Sequence, residues 1–163
     1  MQKFKVTVLV IFGLLMASSF AYAGSYSSTS TKFNSGDTWY KAYDSAGYYL
    51  PGNCVRYVRW LVKAKDGNTL PGSNLNDLSS KKAICTKTDY SNLKKKCVVA
   101  INVGSVGHLA YVADIDNSGS TKSITLYEAN YPSTGEYKRV LKGKDYSLKQ
   151  IAAKYKIVGY WKP

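Results

Sequence analysis

The chain has 163 residues, of which 45% are hydrophobic, and it carries a formal net charge of +13 at pH 7. This length suits one domain with a substantial core rather than two domains. No stretch is long and apolar enough to predict a membrane span. The positive charge influences which surfaces the protein meets and adheres to, but it defines neither the fold nor the chemistry.

Residues 1–23 have the pattern of an export signal. Lys3 and Lys5 give a basic beginning, the run from Val6 to Leu15 is almost entirely apolar, and the Ala-Tyr-Ala sequence at 21–23 fits a cleavage site. We therefore expect cleavage before Gly24 and a mature protein in the periplasm or outside the cell. An uncleaved anchor is the alternative.

Cleavage of this segment would remove two lysines and leave a net charge of +11. An exported protein with this charge encounters anionic envelope polymers before it encounters nucleic acid. We therefore expect such polymers, and not nucleic acid, as partners. Solubility alone is the other explanation for the many lysines.

The mature sequence begins with a Ser/Thr-rich stretch, GSYSSTSTK, that offers little to bury. We predict a flexible leader over residues 24–36 and a single domain, expected to be monomeric, over residues 37–163. Five aromatic residues crowd the segment 37–49. They could line a substrate groove, with Tyr49 as a candidate contact, or they could belong to the core.

The segment 50–65 predicts an amphipathic helix that begins at a cysteine. Asn53 is suited to capping the helix, and Cys54 follows it directly. Apolar residues recur at helical spacing, at Val55, Val58 and Val62. The N–H groups and partial positive charge of a helix start favour a thiolate, so Cys54 is a candidate nucleophile. An inert core thiol or half of a disulfide is the alternative.

Three cysteines in an exported chain leave at least one unpaired. Cys85 and Cys97 enclose eleven residues. Closing such a loop stabilises the folded state by ~3 kcal/mol in the chain-entropy model. We therefore predict a disulfide between Cys85 and Cys97 and a free thiol at Cys54.

From Val98 onward the pattern changes to strands. Apolar or alternating runs predict four strands, with a hairpin turn at 116–119 and a short helix at 147–155. The predicted strands are Val98–Val103, Val106–Ile115, Ser123–Glu128 and Ile157–Trp161. A helix followed by antiparallel strands indicates an α+β fold.

The second predicted strand contains the only histidine, His108. A single histidine is often a surface or structural residue. A nucleophilic thiol, however, needs a base with a pKa near 7, and only this residue supplies one in the usual range. The imidazole in turn needs a group that fixes its tautomer, and Glu128 or Asn130 on the next strand is suited to that role.

Three segments together resemble a known family. GNCVRYVRW, GHLAYVADI and ITLYEANY occur in this order. They resemble the signature segments of the CHAP domain, the cysteine, histidine-dependent amidohydrolase/peptidase branch of the papain-like NlpC/P60 group. The likeness extends from about Tyr48 to Pro163. It implies a papain-like α+β fold in which an N-terminal helix bearing the nucleophile packs on an antiparallel sheet.

The resemblance also implies a chemistry. Cys54 would be the nucleophile, His108 the general base, Glu128 the residue that orients the imidazole, and Asn130 a second polar group of the site. Members of the family cleave amide bonds of peptidoglycan, in stem or cross-bridge peptides or next to muramic acid. They need no redox cofactor and no catalytic metal, so we expect neither here.

Candidate substrate contacts are Tyr49, Asn53 and Arg56. Arg56 could reach a carboxylate of a stem peptide, although a solvated side chain fits its helix position equally well. Two other functions stay open. A non-catalytic wall-binding protein would need the basic surface but not all of the three reactive residues, and an amidase acting on a non-wall amide would need those residues but not the charge.

Overall fold

The structure is a computed structural model that describes residues 24–39, 54–131 and 135–163. Three α-helices, six β-strands and a short 3₁₀ turn at Tyr90–Asn92 lie within these ranges. The helices are α1 (Cys54–Asp66), α2 (Leu78–Ile84) and α3 (Leu148–Lys154), and the strands are β1 (Ser25–Lys32), β2 (Val98–Ile101), β3 (His108–Asp116), β4 (Thr121–Ala129), β5 (Glu136–Lys144) and β6 (Ile157–Trp161). None of the described helices is long and apolar enough to cross a membrane.

All six strands belong to one antiparallel sheet in the order β1-β5-β4-β3-β2-β6. Helix α1 packs on β3 and β4, whereas α3 contacts β4, β5 and β6. The predicted α+β, papain-like arrangement is confirmed. Each of the four predicted strands is present within two residues of its predicted ends.

Strand β2 explains why the sequence at 98–101 is continuously apolar: it is buried on both faces of the sheet. Val98 and Ala100 pack in the cluster that includes α1, and Val99 and Ile101 pack in the cluster that includes α3. All four side chains are fully buried. Burying a valine or isoleucine contributes about 1.5–3 kcal/mol, so this strand anchors both layers.

The predicted flexible leader is wrong for residues 25–32, which form the edge strand β1. This strand pairs with β5 over its whole length, from Ser25 with Lys144 to Lys32 with Tyr137. Its side chains are exposed except for Tyr26, which packs against the core. Pairing uses backbone groups that every residue here possesses, and Ser/Thr side chains do not hinder it, so little apolar content is needed at an edge.

Candidate active site

Helix α1 begins at Cys54 and is fixed on the sheet along its length. Four of its side chains are fully buried against β3 and its neighbours: Tyr57, Val58, Leu61 and Val62. At its C-terminal end, Asp66 accepts a hydrogen bond from the Tyr111 hydroxyl of β3 at 3.0 Å. The N-terminal end, where helix N–H groups have no intrahelical partner, therefore lies beside the first residues of β3.

His108 is the first residue of β3 and is 4% exposed. The preceding Gly107 has φ +66°, and a Cβ there would lie 2.7 Å from Cδ1 of Leu78 in α2. A glycine is therefore required at this turn, because any other side chain would clash with α2 as well as strain the backbone. The loop before His108 is thus shaped by its contact with α2.

The imidazole of His108 contacts both other members of the predicted triad. Its Nε2 lies 3.1 Å from Oε2 of Glu128. The ring also interacts with the Cys54 thiol, and this interaction shifts the pKa values of both groups. An imidazole placed between a carboxylate and a thiol is suited to proton transfer at Cys54.

Glu128 is fully buried, and its second carboxylate oxygen is held by residues of β5 and of the segment after α3. Arg139 Nε donates to Glu128 Oε1 at 2.5 Å, and the Tyr155 hydroxyl donates to the same oxygen at 3.5 Å. The Arg139 guanidinium lies over the rings of Tyr131 and Tyr155, at 5.5 and 5.1 Å from their centroids. A buried carboxylate needs such partners to stay ionised.

The charges of the site favour an ion pair between Cys54 and His108. Burial raises the pKa of the Cys54 thiol, but the hydrogen bond and charge of His108, the backbone at Leu109 and the charge of Lys81 outweigh it, so the pKa is lowered. Burial lowers the pKa of His108, but Cys54 and Glu128 outweigh it and raise the pKa to about 9. Thiolate and imidazolium therefore stabilise each other near neutral pH.

Cys54 and His108 open onto a cleft of 530 Å³. Its walls include Arg56 and Arg59 of α1, Lys81 of α2, and the loop that precedes His108. Arg56, a predicted substrate contact, therefore lines the cleft. The other two predicted contacts, Tyr49 and Asn53, lie outside the described residues.

Asn130 also lines the cleft, but it does not lie on the strand that carries Glu128, where the sequence predicted it. Strand β4 ends at Ala129, and Asn130 has φ +64°. Its Oδ1 accepts a hydrogen bond from the Gly135 N–H at 3.3 Å. The side chain of Asn130 thus binds the residue that precedes β5, and the carboxylate beside His108 is that of Glu128.

The predicted disulfide between Cys85 and Cys97 is not present in the structure, where both are free, buried cysteines. Cys85 packs with Val98 in the α1 cluster, and Cys97 packs with Val99 in the α3 cluster. The two side chains therefore belong to opposite faces of the sheet. Loop length alone says nothing about this orientation, and a disulfide requires the Cβ atoms to face each other.

Sequence reasoning missed three residues of the site: Lys81, Arg139 and Tyr155. Arg139 lies in EYKRVLKGK, where one arginine among lysines gives no sign of burial. Lys81 lies in a stretch whose weak periodicity does not predict a buried face. Tyr155 lies at the end of a predicted helix, where the sequence gives no sign of a contact with Glu128. The only available signal was that Glu128, as a carboxylate in an apolar strand, needs a cationic partner.

The fold is of papain-like type, and its site brings together a thiol, an imidazole and a carboxylate. The family model of the CHAP domain matches residues 42–130, more than half of the chain, and the chain belongs to this family. CHAP domains are generally amide hydrolases that act on peptidoglycan. Comparisons with curated proteins and with solved structures gave no significant match. Among the described residues, no group of three or more His, Cys, Asp or Glu side chains could hold a metal ion.

Proposed function

We propose that the protein hydrolyses amide bonds of peptidoglycan, with Cys54 as nucleophile, His108 as acid and base, and Glu128 as the residue that holds the imidazole. One observation carries the proposal: a single buried imidazole contacts both the Cys54 thiol and the Glu128 carboxylate. Membership in the CHAP family supports peptidoglycan as the substrate. The cleft beside Cys54 gives a peptide chain access to the thiol.

The reaction begins when the Cys54 thiolate attacks the amide carbonyl carbon and forms a C–S bond. The negative charge that moves to the carbonyl oxygen is stabilised by the N–H of Cys54, at the unpaired start of α1. The C–N bond then breaks as His108 gives its proton to the leaving nitrogen. A thioester remains on Cys54.

The second half of the reaction releases the acid. His108, now neutral, accepts a proton from water as the water oxygen attacks the thioester carbon. The C–S bond breaks, the carboxylic acid product leaves, and the thiolate and imidazolium of the resting site are restored. Arg139 holds the other oxygen of Glu128 and so keeps the carboxylate in place behind the imidazole.

Export is part of this proposal. Residues 1–23 would direct the chain across the cytoplasmic membrane and be removed, so that the mature enzyme begins at Gly24 and meets the wall. The support is the basic, apolar and small-residue pattern of that segment. Intact-mass measurement of the protein from the periplasm or medium tests it, since a retained segment would add its full mass.

The activity is tested by digesting purified peptidoglycan and identifying the new amine and carboxyl ends by mass spectrometry. The wild type should release fragments, and Cys54→Ala and His108→Ala should release none. Cys54→Ala should keep the thermal stability of the wild type within a few degrees, because Cys54 lies at a helix end. Fragment release by Cys54→Ala would contradict the proposal. If the wild type binds the wall but does not cleave it, the result would favour the non-catalytic wall-binding protein.

A further inference from the structure

Lys81 is an unusual feature of the cleft, because its side chain is only 2% exposed and yet carries a charge. Its Nζ donates to the carbonyl oxygen of Val106 at 2.8 Å and lies 3.5 Å from that of Asp77. Within residues 24–39, 54–131 and 135–163, no carboxylate forms an ion pair with it. Buried charges in proteins are normally paired, because desolvating an ammonium group is costly.

Among the neighbouring charges, the Asp77 carboxylate at the start of α2 attracts Lys81, but it is exposed and forms no ion pair with it. In the reactive state, the Cys54 thiolate is balanced by the His108 imidazolium, and Glu128 is balanced by Arg139. The positive charge of Lys81 therefore remains in excess beside the thiol. Arg56 and Arg59 also line the cleft, and none of its described walls carries an acidic side chain.

We propose that Lys81 binds a carboxylate of the substrate, so that the cleft selects peptides with a free carboxylate near the scissile amide. An ammonium group has three N–H donors, and backbone carbonyls occupy at most two of them. The inference rests on the proposed function and names its substrate class. In a peptidoglycan stem peptide, it predicts preference for a free glutamate carboxyl group over the corresponding primary amide.

A purely structural role for Lys81 makes a different prediction. Its bond to Val106 also holds the loop before His108, so losing it could lower activity by displacing the imidazole. Such displacement would slow the hydrolysis of every substrate by the same factor. A carboxylate-binding role would instead change the ratio between a charged substrate and an uncharged one.

The experiment therefore measures kcat/KM on two synthetic stem peptides that differ only in a free carboxyl group or a primary amide. The wild type should prefer the carboxylate by about 10- to 100-fold, the usual effect of a hydrogen bond to a charged group. Lys81→Met should bring the ratio close to 1, and Lys81→Arg should retain most of it. Lys82→Met, at the exposed neighbour on α2, should leave the ratio unchanged.

Binding to the inactive Cys54→Ala protein, measured by titration calorimetry, separates this inference from the proposed function. The carboxylate peptide should bind more tightly than the amide peptide, and adding Lys81→Met should remove the difference. This result without hydrolysis by the wild type would overturn the hydrolase proposal and leave the carboxylate site standing. Hydrolysis of both peptides at equal rates, or a preference that survives Lys81→Met, would overturn the carboxylate site.

Discussion

Arg139 holds the Glu128 carboxylate by the oxygen that His108 does not use. Arg139 Nε lies 2.5 Å from Oε1, and His108 Nε2 lies 3.1 Å from Oε2. Arg139 Nη2 also donates to the Tyr131 carbonyl at 3.2 Å, which ties the guanidinium to the segment after β4. The position of the imidazole therefore depends on a residue two strands away from it in the sheet.

Replacing Arg139 should impair both folding and catalysis. Arg139→Gln leaves Glu128 buried without its cation, and breaking a buried pair in this way costs about 3–5 kcal/mol. We expect that loss in urea unfolding, together with a lower kcat on peptidoglycan. Lys138→Gln, an exposed neighbour on β5, should change stability by less than about 0.5 kcal/mol. Equal behaviour of the two variants would mean that Arg139 has no special role.

The imidazole should remain protonated well above its ordinary pKa of about 6.5. Because the chain has one histidine, its ring signals can be followed by NMR without ambiguity. In the wild type His108 should lose its proton near pH 9, since Cys54 and Glu128 favour the charged ring. Cys54→Ala and Glu128→Gln each remove one of these partners, so each should lower the pKa of His108. A titration unchanged by both substitutions would contradict the proposed contacts.

The pattern of the sequence predicted the parts of the site that local chemistry dictates. Cys54 was identified by its place at a helix start, and His108 and Glu128 by their places on adjacent predicted strands. Arg139 could not be found in this way, because its role depends on the register between β4 and β5. That register brings Leu126 opposite Arg139 and Glu128 opposite Tyr137, so the arginine reaches the carboxylate diagonally.

The missed strands have a common physical explanation. Strand β5 alternates buried and exposed residues, but its exposed positions are lysines and its buried positions include a glycine and an arginine. Its hydrophobic alternation is therefore weak. Strand β1 has almost none, because it is an edge strand with one partly buried side chain. Both strands form through backbone hydrogen bonds to the neighbouring strand, and the pattern of side chains does not indicate such bonds.

Thiol labelling should distinguish Cys54 from the other two cysteines. Burial raises the pKa of Cys85 to about 12 and also raises that of Cys97, so neither should react in the native protein. We expect one reactive thiol in the folded state, identified as Cys54 by peptide mapping, and three in denaturant. A single thiol after denaturation would instead restore the predicted disulfide. In His108→Ala, alkylation of Cys54 near pH 7 should slow, because burial then raises its pKa.

Adsorption to the wall should be mainly electrostatic, as expected for a net charge near +11 after signal removal. Screening shortens the Debye length from ~10 Å at 0.1 M salt to ~3 Å at 1 M, so retention should fall steeply over that range. The measurement is a sedimentation assay with Cys54→Ala, which leaves the wall intact. Walls stripped of anionic polymers are the control and should retain little protein at either salt concentration. Retention indifferent to salt would indicate that a specific pocket carries the affinity.

Hydrogen exchange should distinguish strand β1 from a flexible leader, because the two differ in the exchange rates of their amide groups. Amide groups that bond to β5 should be protected in hydrogen exchange, and those that face solvent at the sheet edge should exchange fast, giving an alternating pattern over Ser25–Lys32. A flexible leader would exchange fast at every position.

Deleting residues 24–32 from the mature chain should accordingly lower the free energy of unfolding. The deletion removes the pairing with β5, the packing of Tyr26 and the contact of Ser28 Oγ with Arg139 Nη1 at 3.4 Å. Each hydrogen bond contributes a net stabilisation of about 0.5–1.5 kcal/mol, and ordering the strand costs conformational entropy. From the balance we expect the free energy of unfolding to fall by at least about 2 kcal/mol. Ser28→Ala should show a small part of that loss, and Ser27→Ala, whose register partner is Lys142, should show less. A deletion that leaves both stability and wall hydrolysis unchanged would mean that β1 does not support the site.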